Sequence, residues 1–350
     1  MQNKTRLMII DDSAVFRTFL IRGIEKDPRF EIVGYAVNAL DAKNKIPLLK
    51  PDVLTLDIEM PGMSGIDFLK EYLPQNPLPV ILVSSLNIRV FDAMAAGAVD
   101  FVRKPDMESH IRKEAFLSML ISKLAIASNS RVRLPGSQPA PVTNRTAAAA
   151  RTLISNKLSP AASGKLIAIG ASTGGTEAIL EVLRQFPANS PGVVITQHMP
   201  SGFTAMYAER LNRLCKMEVR EAKNGDKVQQ GLALLAPGGL QMRIVRMGAG
   251  YAVQCVRGDK VNGHAPSVDV LFDSVANLAR DKAIGVLLTG MGADGAAGLL
   301  RMRKNGAYTI GQDKESCVVY GMPMEAYKIG AVCQQVSLSA IPQAVFAKLM

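Results

Sequence analysis

The stretch that decides the fold is "LIAIGASTGGTEAIL", residues 166–180: an apolar run, a knot of Gly, Ser and Thr, then apolar residues at three- and four-residue spacing. The run has strand length and the spacing is helical, so the knot reads as a tight strand-to-helix turn, the repeating unit of a parallel sheet. Outward from it the unit recurs. Strands are expected at 165–171, 191–198, 231–238, 283–290 and 307–313, and helices at 176–186, 203–215, 266–280 and 295–306. The rhythm breaks at 239–258, where alternation around a Gly-rich turn predicts a hairpin.

Upstream, apolar runs ending in turn residues at 6–12, 30–36, 53–62, 79–85 and 100–105 alternate with helical patterns, and 110–128 reads as a closing helix. Five strands make another doubly wound sheet. The segment 129–164 is rich in Pro, Ser, Ala and Arg and poor in large apolar residues, a composition that cannot bury a core. The expected organisation is an α/β domain over 1–124, a flexible linker over 125–163 and a second α/β domain over 164–350, both built on doubly wound parallel sheets.

Composition narrows the function. Residues 1–123 carry 16 basic and 16 acidic side chains, 124–163 five basic and no acidic, and 164–350 20 basic against 14 acidic. The basic excess of the last segment suits an acidic partner. No nucleic-acid partner is expected, because there is no Trp, no aromatic cluster among the basic residues and no helix-turn-helix or zinc-finger spacing. The four cysteines have no CxxC spacing, and no signal-peptide pattern precedes the first strand, which predicts a cytoplasmic, reducing setting without disulfides. The longest apolar runs fall short of a membrane span, so no membrane insertion is expected.

In an open parallel sheet, functional side chains gather at the carboxy ends of the strands. In the first domain those ends carry Asp11 and Asp12, then Asp57, Ser84 and Lys104. Three carboxylates brought together repel, so a hard cation such as Mg²⁺ would stabilise them. A metal-bound Asp is also a good phosphoryl acceptor; Lys104 would balance the charge of an aspartyl phosphate and Ser84 would bond its oxygens. Taken singly, Asp11 and Asp12 could instead cap the next helix. The set "IIDDS", "LDIEMPGMSG", "VSS" and "KP" closely resembles the receiver domain of bacterial response regulators, over about residues 5–124. That resemblance implies a flavodoxin-like fold, Asp57 as phospho-acceptor, Asp11 and Asp12 as the Mg²⁺ acids and Ser84 as the switch hydroxyl. It also implies Lys104 ahead of a cis-Pro105, and Phe101 as the aromatic switch.

The knot at 170–175 has three possible uses. A phosphate-binding P-loop needs Lys where Thr176 follows Gly175, and a dinucleotide fold needs an acid where the second strand ends in Gln197 and His198. A nucleophile elbow needs Gly-x-Ser-x-Gly, which Gly170, Ser172 and Gly174 supply. It also needs a histidine and an acid. Of the three histidines, His110 lies in the closing helix of the first domain, His264 precedes a helix, and His198 ends the strand after the elbow, where adjacent parallel strands would bring it toward Ser172. Asp294, in a Gly-rich turn after a buried strand, is the acid that would orient it.

"IGASTGG", "QHMP", "LAPGG", "HAPSVDVLF", "LLTGMGADGAAG" and "YGMP" resemble the catalytic domain of the chemotaxis protein-glutamate methylesterases, and the receiver, linker, effector order matches that family over nearly the whole chain. The resemblance implies a Rossmann-like three-layer domain with Ser172 as nucleophile, His198 as base and Asp294 as orienting acid. It further implies an oxyanion hole of backbone N–H groups near Met291, with Thr173 assisting. The activity implied is phosphorylation-activated hydrolysis of glutamyl methyl esters on methyl-accepting chemotaxis receptors, with glutamine deamidation and no esterase cofactor. The phosphodonor implied is a chemotaxis histidine kinase. The alternative is a response regulator whose second domain only binds.

Overall fold

The computed structural model describes residues 4–85, 89–130, 132 and 164–349, which divide into two compact units. The linker expected over 125–163 lies almost wholly outside the described residues.

The first unit holds five strands: β1 (Thr5–Ile10), β2 (Phe30–Ala36), β3 (Val53–Leu56), β4 (Val80–Ser84) and β5 (Asp100–Arg103). All pair in parallel, in the order β2-β1-β3-β4-β5, so the chain reverses direction across the sheet between β1 and β3. That crevice is where such sheets bind ligands. Every residue of β3 and β4 is buried, as expected of strands covered on both faces. Five helices follow the strands in turn: α1 (Ala14–Ile24), α2 (Ala39–Leu49), α3 (Gly65–Tyr72), α4 (Arg89–Ala95) and α5 (His110–Ala127). The boundary expected at residue 124 falls inside α5, which continues because Leu124 and Ala127 are both fully buried. The cap of α1 is Ser13, whose hydroxyl accepts from Phe16 N, which leaves the two acids before it available for other work.

The second unit is built on seven parallel strands: β6 (Leu166–Ala171), β7 (Gly192–Gln197), β8 (Glu218–Glu221), β10 (Leu232–Leu235), β13 (Ala283–Leu287), β14 (Tyr308–Gln312) and β15 (Gln334–Val336). Their order is β15-β14-β13-β6-β7-β10-β8. The first strand, β6, is central, flanked by β7 on one side and the much later β13 on the other, so its carboxy end is the switch point. The expected hairpin is β11 (Gln241–Met247) against β12 (Gly250–Val256), with β9 (Lys227–Val228) as a third antiparallel strand. Among the described residues six α-helices complete the unit: α6 (Gly175–Leu183), α7 (Phe203–Leu214), α8 (Val268–Leu278), α9 (Ala296–Lys304), α10 (Met322–Lys328) and α11 (Ile341–Phe346). One core joins the hairpin's Met242, Ile244 and Val253 to Leu271, Phe272 and Val275 of α8 and to Leu299 and Met302 of α9. It holds α8 in place, which matters because the amino end of α8 carries the site.

Sequence patterning misses β8, β9, β15, α10 and α11. In "EVRE" only Val219 is buried, and β15 is three residues at the sheet edge with none buried, so neither shows an apolar run.

Candidate active site

The elbow forms as its residues require. β6 ends at Ala171, Gly175 N returns to Ser172 O at 2.7 Å, and Gly174 between them has φ +77, a left-handed conformation open to glycine at little cost. Gly290, in the loop after β13, backs Ser172: a Cβ there would lie 2.7 Å from Ser172 Cβ. Gln197, at the end of β7, ties the elbow down, its Nε2 donating to Ser172 O at 2.9 Å and to His198 O at 3.3 Å.

Ser172, His198 and Asp294 come together. His198 Nδ1 lies 3.1 Å from Ser172 Oγ, and His198 Nε2 lies 2.7 Å from Asp294 Oδ2. The His198 and Asp294 side chains are 7% and 2% exposed, so the contact is dry and the ring is held. A carboxylate at Nε2 fixes the proton on that nitrogen and leaves Nδ1 free to accept from the serine hydroxyl. This is the constellation of a serine hydrolase, with the two ring nitrogens in exchanged roles relative to the trypsin-like arrangement.

Asp294 does more than form a turn. Its Oδ2 also accepts from Val268 N at 2.7 Å, and its Oδ1 from Ser267 Oγ at 2.7 Å, Asn262 Nδ2 at 2.8 Å and Asp269 N at 3.2 Å. It therefore occupies the amino end of α8, where orphan N–H groups and the helix dipole favour an anion. Ser267, the N-cap by position, makes no cap bond of its own, and the acid serves in its place. Burial by itself would raise the Asp294 carboxyl. The His198 hydrogen bond and charge, with the bonds from Asn262 and Ser267, outweigh it and hold the carboxyl well below its ordinary range.

His264 is brought in as well: its ring stacks on that of His198, with centroids 3.6 Å apart and planes 10° apart. Thr173 is buried, its carbonyl accepting from Thr289 Oγ1 at 3.0 Å. Met291 is 48% exposed and follows Gly290 in the loop that backs Ser172.

At the carboxy edge of the first unit, Asp11, Asp12 and Asp57 bring carboxylate oxygens within 4.8 Å of one another. Lys104 Nζ donates to Asp57 Oδ2 at 2.6 Å and lies 2.9 Å from Asp11 Oδ2. Lys104 thus pairs with both buried acids, while the buried Ser84 Oγ has no partner among the described residues. Burial pushes the Asp57 carboxyl up, only partly countered by Lys104. Three converging acids, beside a buried hydroxyl with no partner, fit a hard divalent cation. Phe101 is buried, its ring 6.2 Å from that of Phe91. One expectation is corrected: among the described residues the cis peptide bond is Ala265–Pro266, and Lys104–Pro105 is trans. The trans geometry already lets Lys104 reach both carboxylates.

Known proteins match both units. The CheB methylesterase family matches residues 167–345, and the response regulator receiver domain matches residues 7–116. A protein-glutamate methylesterase/protein-glutamine glutaminase 2 of Syntrophomonas wolfei is 53% identical over 343 residues, 98% of this chain and 97% of that protein. A protein-glutamate methylesterase/protein-glutamine glutaminase of Syntrophotalea carbinolica is 49% identical over 346 residues, 97% of this chain and 96% of that protein. The crystal structure of the Thermotoga maritima CheB methylesterase catalytic domain aligns with a TM-score of 0.52 at 34% identity, covering 53% of this chain and 98% of that one.

Proposed function

The chain belongs to the CheB methylesterase family, and on that premise we propose that Ser172, His198 and Asp294 are the residues that hydrolyse glutamyl methyl esters on chemotaxis receptors. The activity is protein-glutamate methylesterase with protein-glutamine glutaminase, under a response-regulator receiver, serving chemosensory adaptation. The observation that carries the residue roles is the continuous line from Ser172 Oγ to His198 Nδ1 at 3.1 Å and from His198 Nε2 to Asp294 Oδ2 at 2.7 Å.

In the first half-reaction Ser172 Oγ attacks the ester carbonyl carbon while its proton passes to His198 Nδ1. The imidazolium so formed is stabilised by Asp294, already ionised and aligned. Collapse of the tetrahedral intermediate breaks the bond to the methoxy oxygen, which takes the proton from Nδ1 and leaves as methanol. In the second half, water gives a proton to Nδ1 and attacks the acyl carbon; Ser172 Oγ departs with that proton, and the receptor carries a free Glu. A glutamine side chain enters the same path and loses ammonia. The developing oxyanion is met by backbone N–H groups near Met291, with Thr173 beside the nucleophile. The basic surplus of residues 164–350 suits acidic receptor helices.

In the receiver, Asp57 takes the phosphoryl group from a chemotaxis histidine kinase. Asp11, Asp12 and Asp57 would hold Mg²⁺, which neutralises charge on the transferring group. Ser84 and Lys104 bond the phosphoryl oxygens, and Phe101 reports the change. Residues 1–124 receive this signal and 125–163 connect them to the esterase at 164–350.

The test is methanol release from methylated chemoreceptor membranes by the wild type and Ser172→Ala, with and without a small phosphodonor and Mg²⁺. Release should depend on Ser172 and rise with phosphodonor. A Ser172→Ala protein as active as the wild type would overturn the assignment.

A further inference from the structure

The triad's acid is held by more than the histidine it serves. Asn262 Nδ2 lies 2.8 Å from Asp294 Oδ1 and 2.8 Å from Asp269 Oδ2, so the two amide hydrogens reach two different carboxylates. Asp269 is buried at the start of α8, its other oxygen accepting from Gly298 N at 2.6 Å. Two buried carboxylates this near each other repel, and the side-chain donor that both share is Asn262.

The backbone explains how the amide is aimed. Val261 and His264 exchange hydrogen bonds of 3.0 and 2.9 Å across a two-residue turn, in which Asn262 has φ +52 and Gly263 φ +82. Two successive left-handed residues define the tight hairpin turn that favours Asn-Gly. The same turn carries His264 onto the face of the His198 ring.

We propose that Asn262 is a positioning residue of the esterase: its amide keeps the Asp294 and Asp269 carboxylates apart and fixes the acid in the line that aims His198 at Ser172. The inference rests on the triad assigned above. Asn262 touches no reacting atom; it acts through Asp294. Without it, Asp294 keeps its bonds to the amino end of α8 but faces Asp269 with no donor between, and the pair relaxes either by moving apart or by sharing a proton. Either change slackens the grip on His198 Nε2.

The test uses Asn262→Gly in the full chain, because glycine keeps the left-handed turn and removes only the amide. With methylated chemoreceptor membranes, phosphodonor and Mg²⁺, kcat should fall about tenfold or more, the kinetic equivalent of one hydrogen bond to a charged group, with KM within about twofold of wild type. Adding Asp269→Asn to Asn262→Gly should restore most of kcat, since an amide at 269 removes the repulsion. A loss through KM alone, or no rescue by Asp269→Asn, would overturn the proposal. The proton NMR signal of the Asp294-bound Nε2–H of His198 gives a readout independent of turnover, and Asn262→Gly should shift it. An unmoved signal sinks the inference even if hydrolysis is Ser172-dependent; a shifted signal in a chain without Ser172-dependent methanol release sustains the inference and sinks the functional reading.

Discussion

Asp57 and Asp294 both lie beyond the carboxy end of a strand at a sheet's switch point, and their surroundings are opposite. Asp57 receives Lys104 at 2.6 Å and one long backbone bond from Glu59 N at 3.3 Å, beside two further acids. Asp294 receives His198, Val268 N, Ser267, Asn262 and Asp269 N. Burial pushes the first carboxyl up, whereas donors hold the second down. The difference suits the work proposed for each. A phospho-acceptor needs an oxygen not already committed, and a site that a cation and a phosphoryl group complete. An orienting acid must stay ionised and still while its histidine gains and loses a proton. The same βα framework supplies either, depending on whether a helix amino end or another carboxylate faces the acid.

The contrast can be broken most severely at Asp294. Asp294→Asn keeps the shape but presents its amide N–H or its carbonyl to His198 Nε2 and can stabilise the wrong tautomer, so kcat should fall by about 10⁴-fold. Methanol release with saturating phosphodonor measures it, and a fall of less than tenfold would mean the acid does not orient the base. At Asp57 the corresponding change acts on control. Asp57→Asn should remove the rise in hydrolysis that phosphodonor and Mg²⁺ produce, and chelating the cation should do the same to the wild type. A phosphodonor response that survives Asp57→Asn would place the phosphoryl group elsewhere. Smaller again is Ser267→Ala, which takes one of the five donors from Asp294; the loss of a single hydrogen bond to a charged group predicts a fall in kcat of about tenfold.

How much of this was legible in the sequence differs between the two sites in the same way. The receiver pocket is made of residues that end strands, and strand ends can be read from apolar runs meeting Asp, Ser or Lys; Asp11, Asp57, Ser84 and Lys104 lie at or just past the ends of β1, β3, β4 and β5. Ser172 and His198 follow by the same rule, and Asp294 by its Gly-rich turn. The support around Asp294 was not legible. Asn262 and Ser267 lie 32 and 27 residues upstream, and two of the five donors are backbone N–H groups that no side-chain pattern reveals. The place of His264 before a helix gives no sign of its role; only the folded turn shows that its ring stacks on His198.

The smallest effect tests the electrostatic contrast itself, through stability and not through turnover. For Asp57 the folded-state carboxyl titrates above its ordinary value of about 4, because burial outweighs Lys104. Its favourable contribution is therefore complete in the protonated form, below the unfolded value, and is lost as pH rises through the folded one. Asparagine mimics the protonated form at every pH. In a chelator, Asp57→Asn should unfold at or above the wild-type temperature, by a margin that opens as pH rises from about 4 and then levels. Asp294 has the reverse sign: its folded carboxyl is held down, so its contribution is complete above about 4 and lost only as pH falls toward the folded value. Asp294→Asn should lower the unfolding temperature at neutral pH, by a margin that narrows in acid. Calorimetry of the two variants from about pH 2 to pH 8 reads both slopes. If the two differences moved with pH in the same direction, the distinction between an acid held in reserve and an acid held in place would fail, whatever the kinetics showed.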